Sequence, residues 1–368
     1  MSKVMRAIGL MSGTSMDGID VALLETDGED VIKRGPSAAV AYEPEFRARL
    51  AGAIADASQL PDRRARPGCL AEVERELTER HAQVVLRFMG DHMLQPMAID
   101  AIGFHGQTIL HVPTAAITVQ LGDGPMLASK VGVDVVYDLR AADMEAGGEG
   151  APLAPVYHRA LAAKLPQRPA AFLNLGGVGN VTWIGRDGEL LAFDTGPGNA
   201  MIDDWMLRKC GSPRDEDGGL AADGRVHDDY VTQYLRHSFF GEPPPKSLDR
   251  NAFQLDLVDS LSARDGAATL TAFTAAAVGA ARAHFPEQPA LWVVCGGGRR
   301  NRTLMGMIAA CVDNAVVPSE AIGVSGDGLE AEAWAYLAVR SLKGLPITFP
   351  GTTGAPRPMS GGLLARSR

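Results

Sequence analysis

No run of about 18 consecutive apolar residues occurs in the 368-residue sequence, so no segment has the length and apolarity of a membrane-spanning helix. The apolar stretch Ala7–Met11 is short and runs straight into Ser12-Gly13-Thr14-Ser15, and no secretory signal is read there. Cysteine is sparse. Cys69, Cys210, Cys295 and Cys311 are far apart, with no CxxC pair and no zinc spacing, which excludes a disulfide scaffold and a structural zinc site. They read as mostly buried small hydrophobes in a reducing compartment, and the expected location is the cytoplasm. Positive charge is in deficit: 35 Lys and Arg against 44 Asp and Glu leave −9. The sequence therefore has no basic excess for nucleic acid or an anionic membrane. A small anionic ligand stays open, because backbone N–H groups bind phosphate without net positive charge. No Gly-x-x-x-x-Gly-Lys-Ser/Thr segment is present, which excludes a P-loop, and no Gly-x-Ser-x-Gly supports an α/β-hydrolase.

What is present is apolar mass and glycine. A chain of this length, 46% hydrophobic, predicts two domains of roughly 150–200 residues. Its 42 glycines cluster just after short apolar runs, the pattern of strand followed by tight turn in α/β proteins. Strands are expected at 5–11, 19–24, 98–104, 117–121 and 133–138, and in a second cycle at 170–175, 181–184, 190–194 and 290–295. Helices are expected at 42–60, 67–93, 200–210, 269–284 and 329–339. The turns around Gly13 and Gly177 open two similar cycles, an internal duplication of βββαβα type. The boundaries drawn are 1–130 plus 345–368 for one domain and 131–344 for the other. Arg63–Arg66 reads as a solvated basic patch, Gly211–Gly224 as a mobile acidic loop, and Pro243–Ser247 as stiff and extended. The tail from Pro346 either packs back on the first domain or is partly disordered.

Three glycine turns carry the chemistry. Gly13-Thr14-Ser15-Met16-Asp17-Gly18-Ile19-Asp20 lies between strands. Its backbone N–H groups and the hydroxyls of Ser12, Thr14 and Ser15 suit phosphate oxygens, and Asp17 and Asp20 suit Mg²⁺ held through water. The alternative is a plain hairpin turn. Gly176-Gly177-Val178-Gly179-Asn180 lacks the third glycine and the following helix of a dinucleotide fingerprint, so an oxidoreductase is disfavoured. Asp194, read as ending a strand before Thr195-Gly196-Pro197-Gly198-Asn199, is either a general base or a cap for the next helix. Gly296-Gly297-Gly298-Arg299-Arg300-Asn301 permits close approach of a base or phosphate, with Arg299 or Arg300 against it, or is a strand–helix loop capped by Asn301. His105 suits a polar ligand or a neighbouring loop, and Glu330 the dipole of the helix it opens.

Ile8–Asp20, Phe104-His105-Gly106-Gln107-Thr108, Asn174–Asn180, Phe193–Asn199, Gly296–Asn301 and Asp327–Glu330 together resemble the anhydro-N-acetylmuramic acid kinase family, from residue 8 to about residue 362. The resemblance implies an α/β, two-lobed ribonuclease H-like fold of the actin-like ATPase type, with duplicated βββαβα cores and a central ATP cleft. It implies ATP and Mg²⁺, a small sugar substrate, no nucleic-acid or membrane partner, and a homodimer. The implied reaction opens 1,6-anhydro-N-acetylmuramic acid with water while O6 takes the γ-phosphoryl group. Asp194 would activate the water. Gly13 through Asp20, Gly176, Gly177, Asn180, Gly296, Gly297, Gly298 and Arg299 would bind ATP. His105, Arg140, Glu330, Gly196 and Asn199 would bind the sugar. Two segments depart from the family pattern. Leu248-Asp249-Arg250 stands where Thr-Gly-Arg is usual, and Glu149 where Gln is usual; neither is expected to touch Asp194. A kinase of another sugar and an ATP-driven binding module are the rival readings.

Overall fold

The computed structural model describes residues 3–13, 16–57, 60 and 62–367. The chain divides into two units, residues 1–163 with 328–368, and residues 164–327. The sequence reading drew its lines after 130 and 344. The structure draws them elsewhere because residues 135–137 and the helix Leu329–Leu342 both pack on the first sheet.

The strands of the first unit are β1 (Met5–Ser12), β2 (Gly18–Thr26), β3 (Ile32–Ala41), β4 (Ala101–Val112), β5 (Ile117–Leu121) and β6 (Val135–Tyr137). Those of the second are β7 (Ala170–Leu175), β8 (Val178–Ile184), β9 (Leu190–Pro197), β10 (Leu291–Cys295) and β11 (Ala315–Pro318). The strand β12 (Leu363–Ala365) returns to the first. The first sheet runs β3-β2-β1-β4-β6-β12, with β5 on the far end of β4; the second runs β9-β8-β7-β10-β11. In each unit the first three strands are antiparallel, and two more add in parallel on the other side of the first, β4 and β6 in one unit and β10 and β11 in the other. This repeated order is the ribonuclease H-like duplication that the two glycine-turn cycles imply.

Helix Leu70–Asp91 packs on the first sheet with Leu70, Val73, Leu77, His81, Val85 and Phe88, the face its periodicity predicts. On β1 and β4, Gly9 and Gly103 are register partners. A Cβ on Gly9 would sit 1.8 Å from the Ala331 carbonyl oxygen, and one on Gly103 2.0 Å from that of Trp334. Helix Leu329–Leu342 therefore lies backbone-close on the sheet, with small Ala331, Ala335 and Ala338 turned toward it. The tail packs back on this unit through antiparallel pairing of β12 with β6.

Several readings differ from the structure. Of the four cysteines Cys295 is buried on β10, Cys311 is half-buried, and Cys69 and Cys210 are exposed, since each of these two stands at a helix end. Strand β4 does not stop at Phe104. It continues through His105–Thr108, bulging at Gly106 (φ +71°), because β5 pairs its far half. Strand β3 goes unread because it is a polar edge containing Gly35 and Pro36. Gly211–Gly224 is not a loose loop: the buried Asp215 carboxylate accepts the N–H groups of Leu220 (2.8 Å) and Ala221 (2.9 Å), fixing a short helix. The Arg63–Arg66 patch is not simply solvated either. Arg63 pairs with Asp138, and Arg66 bonds Glu74 through Nε and Nη2, both at 2.9 Å. Helix Ala263–Ala281 starts earlier than read, where Ser262 accepts the Asp265 N–H at 3.1 Å. Among the described residues no helix is long and apolar enough to cross a membrane.

Replacing Gly9 with Ala pushes a methyl group into backbone that cannot retreat. The expected cost is about 3 kcal/mol, a fall of roughly 6–12 °C in the unfolding midpoint of the first unit. Thermal denaturation followed by circular dichroism measures it, and an unchanged midpoint would show that the helix is not seated as described.

Candidate active site

In the first unit the turn between β1 and β2 is tied to β4. The Gly13 carbonyl accepts from Met16 N (3.0 Å) and from Gln107 Nε2 (3.0 Å). Both its lone pairs are then used, so this carbonyl is closed to a ligand. The Ser12 hydroxyl is buried and donates to the Gly106 carbonyl at 2.7 Å, so it serves the fold and not a ligand. Thr14 and Ser15 lie outside the described residues. Met16 takes φ +54° to close the turn. Gly18 answers to packing, since a Cβ there would lie 2.3 Å from the Val40 carbonyl oxygen, and Ile19 is a core residue. Asp17 is exposed and Asp20 half-buried, opposite Met11. Burial raises the Tyr42 phenol well above its ordinary range, and the charges of Asp17 and Asp20 add to the shift.

His105, Arg140 and Glu330 come together in this unit. Arg140 approaches His105 Nε2 through Nη2 (3.1 Å) and Nε (3.3 Å), and bonds the Gly150 carbonyl at 2.8 Å. A guanidinium only donates, so Nε2 accepts and the proton sits on Nδ1, which donates to the Ser12 carbonyl at 3.1 Å. Both ring nitrogens of His105 are spent, the residue is 5% exposed, and its ring lies 4.5 Å from that of Trp334. His105 thus joins Arg140 to the first turn, the neighbouring-loop role of the two that its sequence suits. Burial lowers Arg140 to about 10, opposed by the charges of Glu330 and Asp143.

In the second unit the Gly176 carbonyl accepts Asn199 N (2.7 Å) and Asn199 Nδ2 (3.2 Å), and that of Gly177 accepts Gly198 N (2.9 Å) and Ala200 N (3.2 Å). Both carbonyls are filled, as at Gly13, and Gly177 is exposed. Asn199 Nδ2 also reaches the Leu175 carbonyl at 2.8 Å, so Asn199 is a latch on this turn. Asn180 is half-buried on β8 and pairs in register with Asp194. Gly196 (φ +148°) is buried, and a Cβ there would lie 2.8 Å from Ala277 Cβ.

Asp194 lies within β9, which runs on to Pro197, so it does not end the strand. Its backbone N–H bonds the Lys246 carbonyl at 3.0 Å, and its Oδ2 accepts the Leu248 N–H at 2.7 Å. The extended segment after Pro243–Pro245 therefore runs beside β9. The departure at Leu248 does touch Asp194, through a main-chain donor that is indifferent to the side chain. The helix Ala200–Cys210 begins at Asn199 and not at Asp194, which removes the capping alternative. Sequence reasoning missed Arg250: a Cβ on Gly177 would lie 3.8 Å from its Nε. The signal was the arginine retained in the departing segment.

Gly296 (φ +73°) admits no side chain, since a Cβ would lie 2.3 Å from Asn174 Oδ1. Gly297–Arg300 forms one turn of helix, with Gly298 against Asn199 and Leu175. Asn301 Oδ1 caps the helix Arg302–Val312 through Leu304 N at 2.9 Å. Arg299 is committed to the Gly296 carbonyl (2.9 Å), Glu320 (2.9 Å) and Asp327 (3.0 Å), with its side chain 6% exposed. It shapes the loop, while Arg300 stays exposed beside Asp327.

Burial holds four imidazoles of the first unit neutral. His81 is lowered to about 4, His111 to about 4 with help from Arg140, His158 to about 3, and His105 falls well below its ordinary value. The unfolded chain takes up these protons near pH 6.5 and the folded chain does not. Stability is therefore full above about pH 6.5 and declines as pH falls toward 4. Urea denaturation at pH 7 and pH 5 should give a lower midpoint at pH 5; equal midpoints would contradict the burial of these rings.

A family model described as anhydro-N-acetylmuramic acid kinase matches residues 5–366. The anhydro-N-acetylmuramic acid kinase of Rhodospirillum rubrum is 55% identical over 357 residues, covering 97% of this chain and 93% of its own. That of Paramagnetospirillum magneticum is 54% identical over 361 residues, covering 97% and 99%. That of Rhodopseudomonas palustris is 52% identical over 365 residues, covering 99% and 100%. With the duplicated sheet order and matches of this length, the chain belongs to the anhydro-N-acetylmuramic acid kinase family.

Proposed function

We propose that this chain carries out its family's ATP-dependent reaction on 1,6-anhydro-N-acetylmuramic acid in peptidoglycan recycling, with Asp194 as the general base. The observation that carries this reading is the Asp194 carboxylate, fixed by the Leu248 N–H in the same unit as the second turn. Water oxygen bonds C1 of the sugar and its proton passes to Asp194. The C1–O6 bond breaks with its electron pair on O6. O6 then bonds the γ-phosphorus, whose bond to the bridging oxygen breaks with that pair left on ADP. Asp194 returns the proton to solvent, and N-acetylmuramic acid 6-phosphate leaves. Such a transfer requires positioning and charge neutralisation more than covalent help from the protein.

The two turns suit phosphate because the carbonyls of Gly13, Gly176 and Gly177 are filled by protein donors. Gly13, Met16, Asp17, Gly176, Gly177 and the Gly296–Gly298 loop make up the ATP contacts, with Arg299 holding that loop. Among the described residues no three His, Cys, Asp or Glu side chains form a metal cage. Mg²⁺ fits that pattern, because it keeps several waters and takes one or two carboxylates plus phosphate oxygens. Asp17 and Asp20 would hold it, and it would supply neutralisation of phosphate charge. Arg140 and Glu330 contact the sugar, with His105 fixing Arg140. A cytoplasmic homodimer is part of this reading.

The test is turnover of ATP with the anhydrosugar in ¹⁸O-labelled water. Label should appear at C1 of the 6-phosphate, and Asp194→Asn should lower kcat by about 10²–10⁴-fold. ADP without sugar phosphate would point to an ATPase module, and turnover only with another sugar would discard the substrate.

A further inference from the structure

The segment from Lys246 to Arg250 is a strap with two ends. At its start Lys246 is buried. Its ammonium donates to the Phe239 carbonyl at 2.8 Å and to His284 Nε2 at 3.3 Å, and stands over the Phe239 ring at 4.4 Å. In its middle, the Lys246 carbonyl and the Leu248 N–H hold the backbone and carboxylate of Asp194. At its far end Arg250 lies over Gly177, with Nε 3.8 Å and Cδ 3.9 Å from where a Cβ would stand. One short stretch thus fixes the base and sets a guanidinium above the second glycine turn.

The donors around that turn are disposed toward an anion. The carbonyls of Gly176 and Gly177 each already accept two N–H groups. Arg250 spends Nη2 on Asp204 at 2.9 Å, and its Nε and Nη1 make no hydrogen bond among the described residues. The pair with Asp204 is about half exposed on both sides, so it holds Arg250 weakly and can be shared or exchanged. The uncommitted Nε is the atom nearest Gly177. In phosphoryl transfer, charge spreads over the equatorial oxygens of the moving group, and a guanidinium fork matches those oxygens bidentately.

We propose that Arg250 is a catalytic residue, whose guanidinium bonds the γ-phosphoryl oxygens as the group leaves ADP for O6. This rests on reading the second turn as phosphate-binding. Arg250 makes little contact with ADP itself, so its contribution falls on kcat and not on nucleotide affinity.

Arg250→Ala should lower kcat by about 10²–10³-fold, with KM for ATP within roughly threefold and partial rescue by added guanidinium. Arg250→Lys should recover little, because an ammonium lacks the fork. Calorimetry supplies a readout without turnover. Wild type should bind MgADP more tightly when aluminium fluoride, which mimics the transferring phosphoryl group, is present with the sugar, and Arg250→Ala should lose that tightening while keeping its affinity for MgADP alone. Asp204→Ala separates chemistry from scaffolding: it should retain at least about half of kcat, and a loss equal to that of Arg250→Ala would reduce Arg250 to half of a structural ion pair and overturn the proposal. Parallel losses for MgADP and its fluoride complex, or kcat within threefold of wild type in Arg250→Ala, would also overturn it. If wild type does not phosphorylate the anhydrosugar, the functional reading fails, and the fluoride experiment still decides the role of Arg250.

Discussion

Each sheet holds the loop after its first strand by engaging glycine carbonyl oxygens with protein donors, and much of the surrounding structure serves that engagement. At Gly13 the engagement comes from a side chain on the neighbouring parallel strand, Gln107, and from the turn's own Met16. At Gly176 and Gly177 it comes from the first residues after β9, Gly198, Asn199 and Ala200. The sheet order places those donors, because in each unit the first two strands form a hairpin while the third and fourth lie on either side of it. Backbone hydrogen-bond accounting explains why Asn199 and Gln107 matter in positions where a sequence reading first looks for ligand contacts.

The units meet one requirement with different chemistry. In the first, a chain of polar contacts runs from Asp143 through Gly150 and Arg140 to His105 and on to Ser12, all with little access to water. Such a network is rigid only if each donor and acceptor is satisfied, which is why the neutral state of His105 matters. The second unit uses main-chain donors with one asparagine; on its edge strand a backbone N–H fixes Asp194, while Arg250 pairs with a half-exposed Asp204.

Much of the fold was legible in the sequence. Ala170–Leu175 and Ala200–Cys210 were legible to the residue, because a short run that is apolar except for Asn174 before a glycine pair, and a stretch that ends at Gly211, leave few alternatives. The edge strand Ile32–Ala41 was not, because only Ile32 is fully buried along it and its identity comes from pairing with β2. The three glycine turns and Asp194 stood out because their local composition is unusual. The roles of His105, Asn199 and Arg250 did not, because each is defined by a partner distant in sequence: Arg140, the Gly176 carbonyl and Gly177. The side chain of Arg299 looked available in the sequence and is spent in the structure, since Glu320 and Asp327 arrive from later loops.

The bare glycine face of the first sheet has a consequence for how the chain is made. Gly9 and Gly103 leave a trough that the helix Leu329–Leu342 fills, and that helix is synthesised after the whole of the second unit. Residues 164–327 are contiguous and can close their core as they emerge from the ribosome. The first unit must wait, its sheet open on one face, until residues 329–342 have been made. The unit whose strands are made earlier is the one that closes its core later.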